Sequence, residues 1–559
     1  MNLKSVFLLA LLSLGGVAFF AYWSTQPGNQ PAPPPPEPIA DLNKVSPEDM
    51  NRLVSVTLPA QITSKELIAT VTDKLRQRIE RADARPHEAV LTFKTAEAYQ
   101  AFLARAARSG LRIAGRIDSL NTVRVGYDDL AALARELLEN ATDYNQVAAN
   151  FLITHPNTPP QAQLRAARTQ VPVGNNLRSF LGVSGDTKTW GQGVTIAILD
   201  SGVAADATFG FGRLSALDIG LGTTPPAKGA ENGHGTAVAA LAAGESSDAQ
   251  GVAPAAKLLS IRVTDNNGKS DSFALAQGIL AATDAGAKII NLSLGGYGTN
   301  AVLDSALGYA STRGVALVAA AGNDQADQLT WPAADPRVIS VGAVDANGQQ
   351  VIFSNSSPQL QITAPGLGLQ TAWTDGARML FSGTSGSAPI VSGALAALIS
   401  QDPALSPAQA WGILQTHASD AGAPGADPNY GNGVLNLGWA MARNNPARAD
   451  TAIASHYYDP VAQQLRIVVQ NRGTQAVANL DLALDINGAR QHQPIPWLAG
   501  GATTIINLPL STSQRVAAGH IEFRSELINP ESVTDQVPTN NRRASALDAP
   551  STPFSSGSR

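Results

Sequence analysis

The hydrophobic pattern changes character several times along the chain. It opens with eighteen uncharged residues, Val6 to Trp23, behind Lys4. A helix of that length spans about 27 Å, enough for the hydrocarbon core of a bilayer. Phe19 and Phe20 stand where small residues precede a cleavage site, so the run reads as an uncleaved anchor rather than a removed signal. Seven prolines then fall between Pro27 and Pro38, which predicts a stiff spacer. From Thr63 the pattern turns periodic. Thr63 and Glu66 fit a capping box, and Leu67, Val71, Leu75 and Ile79 recur every fourth residue on one helical face. Ala89–Thr95 alternates as a strand, and 96–108 reads as a helix stopped by Gly110. Residues 111–125 read as a hairpin, Leu130–Glu139 as a helix, and Val147–Ile153 as a strand. The order β-α-β-β-α-β is ferredoxin-like.

Beyond a polar linker, residues 178–445 alternate continuous apolar runs with helices of small residues. This α/β pattern predicts a parallel sheet covered on both faces. After residue 450 short strands dominate (Leu465–Gln470, Leu480–Ile486, Thr503–Leu508, His520–Leu527), separated by Gly, Asn and Pro, as in a β-sandwich. The chain therefore divides into 1–26 (anchor or signal), 27–50 (Pro-rich linker), 51–154 (small α+β unit) and 155–177 (linker). These are followed by 178–445 (α/β domain), 446–546 (β-sandwich) and 547–559, which reads as a disordered tail.

Composition narrows the chemistry. There is no cysteine, so disulfides, thiolate metal sites and cysteine nucleophiles are excluded. The net charge is −5, which offers no basic excess for nucleic acid. Seven histidines remain as bases or ligands, and His87-Glu88 is not followed by the second histidine of a helical zinc-protease motif.

Four short motifs lie in 178–445. Residues 194–199 form a β-branched run ending in Asp200-Ser201-Gly202, which puts a carboxylate where α/β folds bind ligands. Asp-Ser-Gly is equally a common turn. His234 stands between two glycines at the start of an all-small helix, as either a functional ring or a backbone-satisfied one. Residues 315–321 form a third buried strand leading through Gly322 to Asn323, a turn former or an oxyanion donor. Gly383-Thr384-Ser385-Gly386-Ser387-Ala388-Pro389 opens a helix apolar on nearly every side, with Pro389 expected in its first turn. A serine there is ordinarily an N-cap, a role Thr384 or Ser387 could also fill. At such a helix start, free N–H groups and the dipole stabilise negative charge.

Together these motifs run Asp, His, Ser, and 178–445 resembles a subtilisin-like serine peptidase (subtilase). The resemblance rests on Ala197–Gly202, His234-Gly235-Thr236, Asn291–Gly296, Ala320–Asn323 and Gly383-Thr384-Ser385. It is supported by Gly251–Pro254, Val338–Ala343 and Ala364-Pro365-Gly366. It implies Ser385 as nucleophile, His234 as base, Asp200 as the orienting acid, and an oxyanion hole from Asn323 and the Ser385 N–H. It further implies a substrate-binding edge at Ser293, Leu294 and Gly295, with Ala321 and Gly322 beside it.

Where the family commonly has Met-Ala and a later histidine, this chain has Gly386, Ser387 and Ile390, and Ala237 replaces a second histidine. Gly386 is expected to leave room beside the nucleophile. Thr330, before Trp331-Pro332, falls where many members have glycine on a pocket floor, which implies a shallower pocket for small or medium apolar residues.

Residues 86–154 resemble the subtilase propeptide, an inhibitor cut away within 154–178. Val468–Gly473 and Pro538–Asn541 resemble bacterial adhesion-related immunoglobulin-like modules, which bind another protein or a cell surface. No cofactor is expected for the chemistry. The family often holds structural calcium, but Asp265 and Asp271 read equally as loop carboxylates, so no ligand set follows. The expectation is an exported serine endopeptidase acting on proteins or peptides, made as a zymogen. It would be tethered by its N-terminal helix with a periplasmic or extracellular catalytic domain, or secreted if that segment is cleaved. The competing classes are a module that cuts only itself and an inactive binding or adhesion protein.

Overall fold

The computed structural model describes residues 64–140, 143–155, 170–219, 230–265, 267–459, 461–462, 464–509 and 520–548. The anchor run, the proline spacer, Thr63 of the capping box, most of the 155–177 linker and residues 549–559 of the tail lie outside them. Leu547 and Asp548, read from sequence as the start of the disordered tail, instead complete the last strand, where they pair with Ile521 and His520. Among the described residues no helix is long and apolar enough to cross a membrane.

The first unit comprises α1 (Ser64–Ile79), β1 (Ala84–Phe93), α2 (Ala96–Arg105), β2 (Leu111–Ile117), β3 (Thr122–Tyr127), α3 (Leu130–Glu139) and β4 (Tyr144–Thr154). Its strands lie in the antiparallel order β2-β3-β1-β4. Val71, Leu75 and Ile79 are buried, as their spacing predicts. Gly110 ends the α2 region with a φ of +74°, a conformation natural to glycine.

The next unit is built on seven parallel strands. These are β5 (Thr195–Asp200), β6 (Leu214–Leu217), β7 (Lys257–Arg262), β9 (Ile289–Leu292), β10 (Ala316–Ala320), β11 (Val338–Val344) and β12 (Ile362–Pro365). Their spatial order is β12-β11-β10-β9-β5-β7-β6. The pleat assigns alternate residues to opposite faces. Ile196 and Ile198 pack with the helices α4 (Ala230–Ala243) and α7 (Thr384–Gln401). Ala197 and Leu199 pack with α5 (Ser272–Asp284) and α6 (Ala301–Thr312). Burial on both faces explains why these strands read as unbroken apolar runs.

The first unit docks on the α5/α6 side, where Val90, Ile117 and Ile153 join the same apolar cluster. A short strand of the second unit, β8 (Lys269–Asp271), extends the first unit's sheet by pairing with β4. Polar groups of β4 also satisfy the starts of two helices. Asn150 Oδ1 accepts from the Ser272 hydroxyl and the Phe273 N–H. Gln146 Oε1 accepts from the Ala301 N–H. Such N–H groups have no partner within their own helix.

After the hairpin β13 (Leu369–Ala372) and β14 (Arg378–Phe381), the chain ends in two antiparallel sheets. One holds β15 (Thr451–Asp459), β16 (Gln464–Asn471) and β19 (Thr503–Pro509). The other holds β17 (Val477–Ile486), β18 (Ala489–Leu498), β20 (His520–Ile528) and β21 (Arg542–Asp548). Ile453, Leu465, Leu482 and Phe523 share a core between them.

Candidate active site

Asp200 ends β5 and is fully buried. Its Oδ1 accepts from the Ser201 N–H at 2.7 Å. His234 is in the opening turns of α4, with Nδ1 at 2.8 and 3.0 Å from the two Asp200 oxygens. The helix can come this close because Gly235 has no side chain, since a Cβ there would lie 2.2 Å from the Gly202 carbonyl. Burial alone would raise the Asp200 pKa, but the His234 and His155 imidazoles outweigh it and hold the carboxyl well below the usual range. For His234, burial is the leading cause and lowers the pKa. The Asp200 charge opposes it and His155 adds to it, with a net lowering.

Ser385 is the second residue of α7, and the N-cap is Gly383. Ser385 is therefore not a capping serine. Thr384 donates instead through its N–H and hydroxyl to Asn323 Oδ1, at 2.9 and 2.8 Å. With that oxygen occupied, the amide orientation of Asn323 is fixed. Ser387 donates to the Ala364 and Pro365 carbonyls, a structural role.

Pro389 lies in the second turn of α7, not the first, because the helix already begins at Thr384. Proline lacks the N–H that would bond the carbonyl four residues back, which belongs to Ser385. The Ser293 hydroxyl supplies the missing donor to that carbonyl at 2.9 Å. The Ser385 Oγ in turn donates to the Ser293 carbonyl at 3.2 Å. The expected room beside Gly386 is absent. A Cβ there would meet Leu369 at 2.9 Å and Phe381 at 3.1 Å, so their larger side chains have taken the space.

The expected substrate edge is occupied by the chain itself. Thr154, the last residue of β4, donates its N–H to the Gly295 carbonyl at 3.0 Å and accepts the Gly295 N–H at 2.8 Å. Leu294 faces the core, while Ser293 is tied to Ser385. Ala321 and Gly322 turn their backbone groups inward, to Val341, Thr330, Asn355 and Thr384, so they offer the cleft a wall rather than hydrogen bonds. Thr330 is buried, with its hydroxyl on the Ala320 and Ala321 carbonyls. It wedges between the two rims: a Cβ on Gly295 would lie 2.3 Å from its Oγ1, and one on Gly322 would lie 3.0 Å from its Cγ2.

One residue escaped sequence reasoning. His155 follows Thr154, stacks on His234 with ring centroids 3.8 Å apart, and puts Nε2 3.0 Å from Asp200 Oδ1. It lies at the boundary of a linker, and no local motif marks it. The signal available was its place directly after the last strand of the first unit.

The calcium candidates take other partners. Asp265 and Asp271 both bind Arg85 of the first unit, and Asp271 also binds Arg124. Among the described residues, the group of three ligating side chains is His155, Asp200 and His234, whose imidazoles suit calcium poorly.

A parallel sheet with an Asp–His pair at its C-terminal edge and a serine at a buried helix start defines a peptidase of the serine class. The model of the subtilase family matches residues 191–433. Subtilisin BL of Lederbergia lenta is 33% identical over 272 residues, covering 48% of this chain and 95% of that protein. Thermitase of Thermoactinomyces vulgaris is 36% identical over 263 residues, covering 46% and 89%. The structure of fervidolysin from Fervidobacterium pennivorans, a keratinolytic enzyme related to subtilisin, is similar in fold. It gives a TM-score of 0.54 at 19% identity, over 84% of this chain and 77% of that one. The chain belongs to the subtilase family and is a subtilisin-like serine endopeptidase acting on proteins or peptides. Such enzymes need no cofactor for catalysis.

Proposed function

We propose that this chain is an exported endopeptidase made as a zymogen, with Ser385, His234 and Asp200 as its triad and residues 51–154 as its inhibitory prosegment. The observation that carries this reading is the Thr154–Gly295 pairing. A strand of the enzyme's own chain is hydrogen-bonded along the edge where a substrate backbone would add, with the next residue against His234. The strand order β2-β3-β1-β4 supports a ferredoxin-like prosegment.

In the reaction, Ser385 Oγ turns from the Ser293 carbonyl, gives its proton to His234 and attacks the scissile carbonyl. Asp200 holds the imidazole and balances its cationic form. The Asn323 NH₂ and the Ser385 N–H receive the oxyanion. His234 then protonates the leaving amine. Water, deprotonated by the same ring, hydrolyses the acyl-enzyme and restores Ser385. The Thr330 wedge favours small or medium apolar residues in the first pocket. The two terminal sheets are read as an immunoglobulin-like module for a protein or cell-surface partner, and the Val6–Trp23 run as the anchor.

The test compares the full chain with Ser385→Ala. The wild type is expected to shed the first unit and digest casein. The variant is expected to stay full length and retain only about 10³–10⁴-fold enhancement over water. N-terminal sequencing of membrane and soluble fractions reports the processing bond and the fate of the anchor. Casein digestion by Ser385→Ala at the wild-type rate would refute the assignment.

A further inference from the structure

His155 places a second imidazole on the carboxylate that His234 uses. One ligand atom from each of His155, Asp200 and His234 lies within 4.8 Å of the others. His155 Nε2 is 3.0 Å from Asp200 Oδ1, and His234 Nδ1 is 2.8 Å from the same oxygen. Yet His155 Nε2 is buried and makes no properly directed hydrogen bond. Its distance is that of an ion pair, but its direction is not that of a donor. A buried ring nitrogen that meets its carboxylate at ion-pair distance without a directed hydrogen bond is a group able to serve as a metal ligand, beside an imidazole and a carboxylate that are already together.

We propose that in the uncleaved chain His155, Asp200 and His234 bind one divalent transition-metal ion of the zinc class, which clamps the prosegment onto the active site. Two imidazole nitrogens and one carboxylate oxygen form a ligand set typical of zinc, with water in the fourth position. Ligand atoms on a tetrahedral ion about 2.0–2.2 Å away stand roughly 3.3–3.6 Å from one another. The two imidazole nitrogens, now 3.0 and 2.8 Å from Asp200 Oδ1, must therefore each draw back by about half an ångström to admit the ion. The stacked rings are near parallel, at 18°, so His155 must turn its ring to aim Nε2 at the ion. The turn breaks no hydrogen bond of that nitrogen. The Ser201 N–H on Asp200 Oδ1 holds the carboxylate in orientation. An ion on His234 Nδ1 displaces the proton that position carries during catalysis, so the metal would also silence the base. A cut within 154–178 on the C-terminal side of His155 lets that residue leave with the prosegment, which removes one ligand of three, and the mature enzyme then releases the ion. The inference rests on the prosegment reading.

The test uses full-length Ser385→Ala, which keeps its first unit attached, freed of metal and titrated with Zn²⁺ by calorimetry and thermal unfolding. One micromolar or tighter site and a raised unfolding temperature are expected. His155→Ala and the more conservative His155→Gln, each in that background, should weaken the site about 100-fold and abolish the shift. His492→Ala, on the exposed far strand β18, should change neither. With the wild-type chain, Zn²⁺ should slow release of the first unit, and His155→Gln should remove that sensitivity. Absence of a zinc site in Ser385→Ala, or a site indifferent to both His155 variants, overturns the proposal. A wild-type chain that never cuts itself, with or without zinc, defeats the prosegment reading instead, while the Ser385→Ala titration still decides the metal site.

Discussion

Asn323 does two jobs with one side chain, and they separate by substitution. Its Oδ1 anchors Thr384 at the head of α7, beside the nucleophile, while its NH₂ is the proposed oxyanion donor. Asn323→Asp keeps the anchoring acceptor and removes the donor. The expected result in steady-state kinetics is a fall in kcat of about 10²–10³, corresponding to roughly 3–4 kcal/mol of barrier, with little change in thermal unfolding. Asn323→Ala should lose activity and stability together. Asp420 carries a different residue-scale prediction. Burial raises its pKa to about 6, with the Asp427 charge adding and the Gly425 N–H opposing. The folded chain thus holds that proton more tightly than the unfolded chain, where the value is about 3.9. Stability is therefore lost as the pH rises from about 4 through 6. Asp420→Asn keeps an acceptor for Gly425 and removes the charge. Above pH 6 it should gain on the order of 1 kcal/mol after allowance for solvent screening, or about 2 °C in unfolding temperature, and the gain should vanish near pH 4. At this scale the sequence pointed to much of the candidate site. Asp200 ends β5, Ser385 is in the first turn of α7, Asn323 follows β10 and His234 is in the opening turns of α4, each with small residues around it, which leaves a local trace. His155 leaves none, because its meaning comes from a partner about 45 residues away that only the tertiary fold supplies.

Strand β4 ties the first unit to the second at three levels: backbone pairing with β8 and Gly295, amides on the starts of α5 and α6, and apolar contact through Ile153. Asp271 adds charge, meeting Arg85 at 3.0 Å and Arg124 at 3.2 Å while capping α5 through Ala274. Asp271→Asn can keep the cap and loses the charge. Added first unit should then inhibit the mature enzyme about 10–100-fold less tightly, with kcat/KM on a peptide substrate unchanged. Equal inhibition by wild type and variant would show that these ion pairs contribute little. Element prediction fared unevenly for physical reasons. Leu130–Glu139 was legible to the residue because its apolar stripe and Asp129 cap are local. The short β8 exists only because β4 pairs with it. Strand β18 went unread because it is an exposed edge strand holding Pro494 and Pro496, residues that ordinarily argue against a strand.

Across the whole molecule, the terminal sheets are fastened to the peptidase unit rather than strung behind it. Arg472 is buried and faces the Trp439 ring at 6.0 Å, and its neighbour Gln470 donates to the Ala418 carbonyl. Ser455 donates to the Gly422 carbonyl. Arg543, half-buried near Tyr430 and Asp345, donates to the Ala454 carbonyl at 2.8 Å. On the peptidase side these contacts fall on residues 345, 418–439 and their surroundings, none of which supplies a proposed site residue. A chain ending at residue 445 would uncover Trp439 and Tyr430 and leave the 418–434 loop without its cover. With no cysteine anywhere, no disulfide can compensate. The truncated enzyme should therefore unfold at a lower temperature and digest itself faster. Its initial kcat/KM on a small peptide should stay within about twofold of the full enzyme's, because the cleft and triad are built upstream of the cut. An unchanged unfolding temperature would make the sandwich a pure binding appendage. A collapse of kcat/KM at a temperature where the truncated enzyme remains folded would mean that the sandwich shapes the active site itself.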